Sequence, residues 1–346
     1  MTSRLHSLLI AAIVCLNPVS LLLAGTVAQE KPEAESQDPP VLESAFLWKI
    51  ESPERKEPSY LFGTIHIPDE RVLQFNQVVI DSFKESDEFY AELEMDNMLA
   101  MSAGLMKVAM LPDGKTLKDV LPEQLYSDLD SYFAGKGLPF AGVERFKPFM
   151  IEMTLQQLEM MPMLMAGAEP LDGVLYKRAK AAGKKTGGIE TMDEQITALT
   201  VLDGPESVQS LEMTLKSMKD YEADGTSMLK VLTDAYCTGD SEQITEVMMD
   251  NYDPSVAWQA KSMKALLDDR NKVMAERIAQ KLKAAPDTTF FFAFGAAHFI
   301  GDNSVNNYLQ KDGFTVTRLT PPADSKPAKD IKPSGSDAQP PLKKAG

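Results

Sequence analysis

Two histidines of this chain stand in matching surroundings. Leu61-Phe62-Gly63-Thr64-Ile65-His66 and Ala293-Phe294-Gly295-Ala296-Ala297-His298 each end in glycine, two small or apolar residues and a histidine. The chain has three histidines, and the third, His6, lies near the N-terminus. A glycine three residues before a histidine at a strand end permits a sharp turn or a close backbone approach and presents the imidazole at the sheet edge. Open α/β sheets place ligands at such strand ends. One Gly-x-x-His is common by chance, and a lone histidine is usually a hydrogen-bonded structural residue. Two of two in matched settings point instead to one shared site at His66 and His298.

Two imidazoles hold a divalent ion weakly, so a carboxylate is expected to complete the set, as in the His/carboxylate sites of zinc, manganese or iron. Glu92, in Ala91-Glu92-Leu93-Glu94, is the first choice. A strand over Glu88 to Leu93 puts Glu92 and Glu94 on one face, and a solvated edge carboxylate is the competing reading. Glu190, in Gly187-Gly188-Ile189-Glu190-Thr191, stands at another strand end before a helix, either as a proton carrier or as a carboxylate favoured by the helix dipole. Arg270, in Asp268-Asp269-Arg270-Asn271, is a candidate clamp for an oxyanion or carboxylate, against the commoner surface ion pair. Met150, Met153, Met160, Met161, Met163 and Met165 read as helical core or a pliable apolar groove rather than a copper site, because no histidine or cysteine accompanies them. Gly183-Lys184-Lys185-Thr186 lacks the earlier glycine of a phosphate loop.

The elements that must position these residues follow from hydrophobic pattern. Ala45 to Ile50 and Ser59 to Ile65 form a hairpin around the polar ESPERKEP segment, and a helix from Arg71 to Ser86 leads to the strand Glu88 to Leu93. The middle is mostly helical: Pro122 to Ala134, Val143 to Met161, Leu171 to Ala182, and a series from Thr191 to about Ala284 broken near Gly204, Gly225, Gly239 and Pro254. A short strand ends at Ile189-Glu190. Thr288 to Phe294 is a buried strand, Gly301 to Gln310 a helix and Phe314 to Leu319 a closing strand. The class is α/β or α+β, with a central sheet built from N- and C-terminal strands and a large helical middle region.

Residues 1–28 read as a secretory signal peptide, with basic Arg4, an apolar stretch broken by Asn17-Pro18, and a Thr26-Val27-Ala28 exit. Residues 29–42 are expected to be a flexible leader, 43–320 one folded domain and 321–346 a disordered tail. The expected location is exported, periplasmic or extracellular, with no stable membrane insertion after cleavage. Cys15 leaves with the signal segment, so Cys237 alone remains and no internal disulfide forms. A net charge of -16 disfavours nucleic acid and anionic membrane surfaces as partners. The oligomeric state is left open.

The chain resembles the TraB/GumN family, to which Tiki-type metalloproteases are related. The resemblance runs from Leu47-Trp48 to about Leu319 on Tyr60 to His66, Ala91 to Glu94, Leu171-Asp172, Gly188 to Thr191, Glu194-Gln195, Arg270-Asn271, Phe294 to Gly301, and Gly313-Phe314. It implies a metal-dependent peptidase in which His66, His298 and Glu92 hold a divalent ion, manganese, cobalt or zinc, with a peptide or protein as substrate. Glu94 stands where the family more often has aspartate. The catalytic candidates are then Glu92, Glu190 and Arg270. The alternative is a non-catalytic envelope protein holding a metal, haem or peptide in the same cleft, and a structural protein with packed histidines is a third possibility.

Overall fold

Aromatic and β-branched runs build the sheet of this computed structural model, which describes residues 45–250 and 252–320. The expected signal peptide, leader and tail lie outside the described residues. The strands are β1 (Leu47–Glu51), β2 (Ser59–Thr64), β3 (Glu88–Ala91), β4 (Lys185–Gly188), β5 (Phe290–Gly295) and β6 (Thr315–Arg318), in the order β4-β3-β5-β2-β1-β6. β4, β3, β5 and β2 run parallel, whereas β1 pairs antiparallel with both β2 and β6. β5, Phe290 to Gly295, is buried along its whole length, as expected of a central parallel strand covered on both faces.

The helices are α1 (Gln77–Glu85), α2 (Met98–Ala109), α3 (Leu117–Val120), α4 (Glu123–Gly135), α5 (Pro148–Met165), α6 (Leu171–Ala181), α7 (Met192–Leu199), α8 (Ser207–Ala223), α9 (Met228–Thr238), α10 (Ser241–Met249), α11 (Ala257–Met263), α12 (Asp269–Ala284) and α13 (Val305–Lys311). Their apolar faces fill two cores. One, around Phe62, Phe89 and Phe291, packs helices such as α6 and α12 onto the sheet. The other, around Leu129, Phe133, Phe149 and Leu211, lies within the helical middle. Among the described residues no helix is long and apolar enough to cross a membrane.

The mixed sheet of N- and C-terminal strands and the helical middle are as the pattern implied, and several boundaries are corrected. The helix expected from Arg71 is a 3-10 turn, Glu70–Leu73, followed by α1, whose N-cap Asn76 accepts from the Val79 N–H at 3.1 Å. α5 starts at Pro148 rather than Val143, because proline suits the first helical turn and disfavours helix before it. α13 starts at Val305 rather than Gly301, with Ser304 as cap and Gly301 at a φ of 77°. β3 stops at Ala91, short of Leu93, and α2 is an additional helix with no counterpart in the hydrophobic pattern.

Candidate functional site

Strand register brings the candidate residues together. Thr64 lies opposite Gly295 across β2 and β5, Ala91 opposite Ala293 across β3 and β5, and Ala91 opposite Gly188 across β3 and β4. The chain therefore leaves four neighbouring parallel strands at the same end, and the next few residues of each carry His66, His298, Glu92 and Glu190. Gly63 serves close approach: a Cβ there would lie 2.9 Å from the Phe46 Cβ and 3.1 Å from the Ala296 Cα. Gly295 has a φ of -47°, so its backbone is available to any residue. His298 itself sits in the 3-10 turn Ala296–Phe299.

Both imidazoles are buried and each is tied at Nδ1. His66 Nδ1 lies 2.6 Å from Asp172 Oδ2, on α6, while Asp172 Oδ1 accepts the Thr64 hydroxyl. His298 Nδ1 lies 2.5 Å from Asn271 Oδ1, and the Asn271 amide nitrogen donates to the Asn303 carbonyl at 2.8 Å, which fixes its oxygen toward the ring. A carboxylate and an amide oxygen accept only, so in each neutral ring the network assigns the proton to Nδ1 and leaves a lone pair on Nε2. Both Nε2 atoms face Glu92: His66 Nε2 is 3.8 Å from Oε2, and His298 Nε2, buried with no hydrogen-bond partner among the described residues, is 3.9 Å from Oε1.

Glu92 is held from the other side. Its Oε1 accepts from Gln195 Nε2 at 2.7 Å and from Arg270 Nη2, and the Gly295 N–H points at Oε2 from 3.5 Å. Burial works against this carboxylate, but the Arg270 charge outweighs it, and Glu92 stays well below the usual carboxylate range. Arg270 also holds Glu190, through Nε at 3.0 Å and Nη2 at 2.5 Å, and gives Nη1 to the Leu266 carbonyl at 2.9 Å. That carbonyl belongs to the π-helical turn Lys264–Asp268 leading into α12. Arg270 is thus a buried bridge between two carboxylates, not the surface pair that its local sequence suggests. Glu190 likewise points to Arg270, and the cap of α7 is made by Thr191 with Glu194. Glu94 does not share a face with Glu92: the strand ends before either, Glu92 turns inward and Glu94 is exposed.

The match to a family model spans residues 46–318. The chain belongs to the TraB/PrgY/gumN family. Curated relatives include the metalloprotease TIKI1 of Danio rerio, 32% identical over 79% of this chain and 63% of its own length. TIKI2 of the same fish is 30% identical over 81% of this chain and 62% of its own length, and TIKI1 of Homo sapiens is 29% identical over 79% and 61%. The chain therefore spans about three-fifths of the length of these TIKI relatives. No solved structure matches it.

A metal is implied by these metalloprotease relatives of a TraB/PrgY/gumN chain. The donor types suit one: two imidazole nitrogens with their second nitrogen tied back, an orphaned buried Nε2 on His298, and a carboxylate oxygen, Oε2, with only a long contact. Among the described residues, however, no group of three or more His, Cys, Asp or Glu is already assembled at ligand spacing. In the sequence Asp172, Asn271 and Gln195 lie among the family anchors with no local sign of a role. Their partners lie 106, 27 and 103 residues away, so only the pairing of acidic or amide residues with family motifs hinted at them.

Proposed function

We propose that this protein is a metal-dependent hydrolase of peptide bonds, with His66, Glu92 and His298 holding the ion. The observation that carries the reading is the pair of imidazoles tied at Nδ1 with both Nε2 atoms turned to one buried carboxylate. The TIKI relatives named as metalloproteases support the reaction class. Held by these residues, a manganese, cobalt or zinc ion would supply Lewis acidity to a carbonyl and a water. The chain's own residues do the rest. Asp172 and Asn271 fix the imidazole tautomers, Gln195 and Arg270 orient Glu92, and Glu190 balances the Arg270 charge. Arg270 and Glu190 grip each other, so they act in this reading by positioning Glu92.

Hydrolysis of a peptide library by metal-stripped protein, with and without added manganese, cobalt or zinc, tests the proposal. Cleavage only with metal, lost in His66→Ala, is expected; equal cleavage by His66→Ala sinks it. A second reading, a non-catalytic metal or peptide binder, draws on the Arg270 grip on Glu92 and expects tight binding without turnover on any peptide. The basic and apolar pattern of residues 1–28 supports an exported location. Protein recovered from the cell envelope should then begin near Gln29, and a retained Met1 counts against it.

A further inference from the structure

His66 forms part of the wall of a second feature, a narrow cleft, partly open to solvent, that lies between the sheet core and the helical core. Four methionines line it, each from a different helix: Met160 of α5, Met218 of α8, Met228 of α9 and Met248 of α10. Small Ala296 and Ala297, from the turn that carries His298, stand among the other lining residues. Methionine is unbranched and polarizable, so walls built of it adapt to apolar groups of different shape.

A packing gap between two cores would be expected to have purely apolar walls. This one has Gln156, 8% exposed, whose Nε2 has no hydrogen-bond partner among the described residues, and Glu159, whose Oε2 accepts from the Leu229 N–H at 2.9 Å while Oε1 has no partner among them. Gln156, Glu159 and Met160 fall at i, i+3 and i+4, on one face of α5. Leaving a buried donor unmet is costly in an empty gap, whereas a peptide main chain brings a carbonyl to it. Leu229 and Met248 are only partly buried at the same cleft.

We infer that this cleft is the subsite for a large apolar side chain, of the leucine, methionine or phenylalanine kind, on the peptide residue adjoining the bond at His66, with Gln156 donating to a substrate main-chain carbonyl. The assignment rests on the hydrolase reading for the position of the bond. Glu159 turns away acidic side chains, and the methionine walls give breadth among apolar ones.

Blocked hexapeptide amides that differ at one central residue, Leu, Met, Phe, Ser or Asp, are titrated by calorimetry into the metal-stripped wild-type protein, where binding is read without turnover and the cleft wall is intact. In parallel the bonds cut by metal-loaded wild-type protein are mapped. Apolar peptides should bind at least about tenfold more tightly than the Ser or Asp peptides, the scale set by burying one large side chain. Met248→Trp and Leu229→Trp, which fill the cleft from partly buried positions on different helices, should each remove the preference while retaining the far-UV spectrum of the parent. Equal affinity for all five peptides, or a preference untouched by both fillers, overturns the inference whether or not peptides are cut. A preference that the fillers abolish, with no bond cut under any metal, upholds the cleft as a peptide subsite and sinks the hydrolase reading.

Discussion

A histidine ring offers a lone pair at one nitrogen only when something holds the proton at the other, and here an acceptor does so in each case. Asp172 is the stronger anchor, since it is charged and also accepts the Thr64 hydroxyl, while Asn271 is oriented by the Asn303 carbonyl. Asp172→Ala and Asn271→Ala should therefore each weaken divalent-ion binding by about 10–100-fold, the range typical of lost outer-shell partners, with Asp172→Ala the larger loss. Calorimetric titration with zinc or manganese checks this, and unchanged affinity in both variants would falsify the positioning role. The convergence of His66 and His298 was legible in the sequence because histidine is scarce and its settings repeat, whereas Glu92 was singled out by its strand-end position and the family resemblance. Their anchors were not legible, because a hydrogen bond between Asp172 and a ring 106 residues away leaves no local periodicity.

The strand ends place these groups by close approach, and Gly63 is where that approach is tightest. A methyl group there would press on the Cβ of Phe46, the Cα of Ala296 and the Phe299 ring, and two of those atoms are backbone or Cβ that cannot swing aside. Gly63→Ala should cost about 1–3 kcal/mol, as overpacking of a tight core does, and should push the His298 turn away from His66. Urea unfolding reads the first effect and metal affinity the second; a stability within error of wild type would show that the neighbours give way. Runs such as TTFFFAF were readable as strand from composition. The end of β3 was not, because Glu92 and Leu93 continue the apolar alternation while their backbone already bends to carry Glu92 inward. α2 escaped because Met98 to Ala109 is apolar nearly all round and so has little amphipathic contrast to signal a helix.

Across the whole molecule the Glu92–Arg270–Glu190 group joins α12 to the ends of β3 and β4, three parts of the chain that meet only on folding. Removing the cation from such a buried group leaves two carboxylates without a counter-charge, so Arg270→Met should destabilise the fold by about 3–5 kcal/mol near neutral pH. The pH dependence separates this cause from a packing loss. Glu92 has a folded pKa below its unfolded value, near 4.3 for glutamate, so its contribution is fully present above that value and is lost as pH falls through the lower folded one. Glu194, held by Arg277 at about 2, acts in the same direction from the surface. Glu159 opposes both, because burial raises its pKa and acid relieves its charge. Wild-type stability should thus fall as pH drops from about 5 toward 2. In Arg270→Met, acid instead neutralises the stranded carboxylates, so the gap between the two proteins should narrow over the same range. Urea midpoints measured at a series of pH values decide it, and a gap that stays constant from pH 7 to 3 would assign the loss to the Arg270 side-chain packing rather than to its charge.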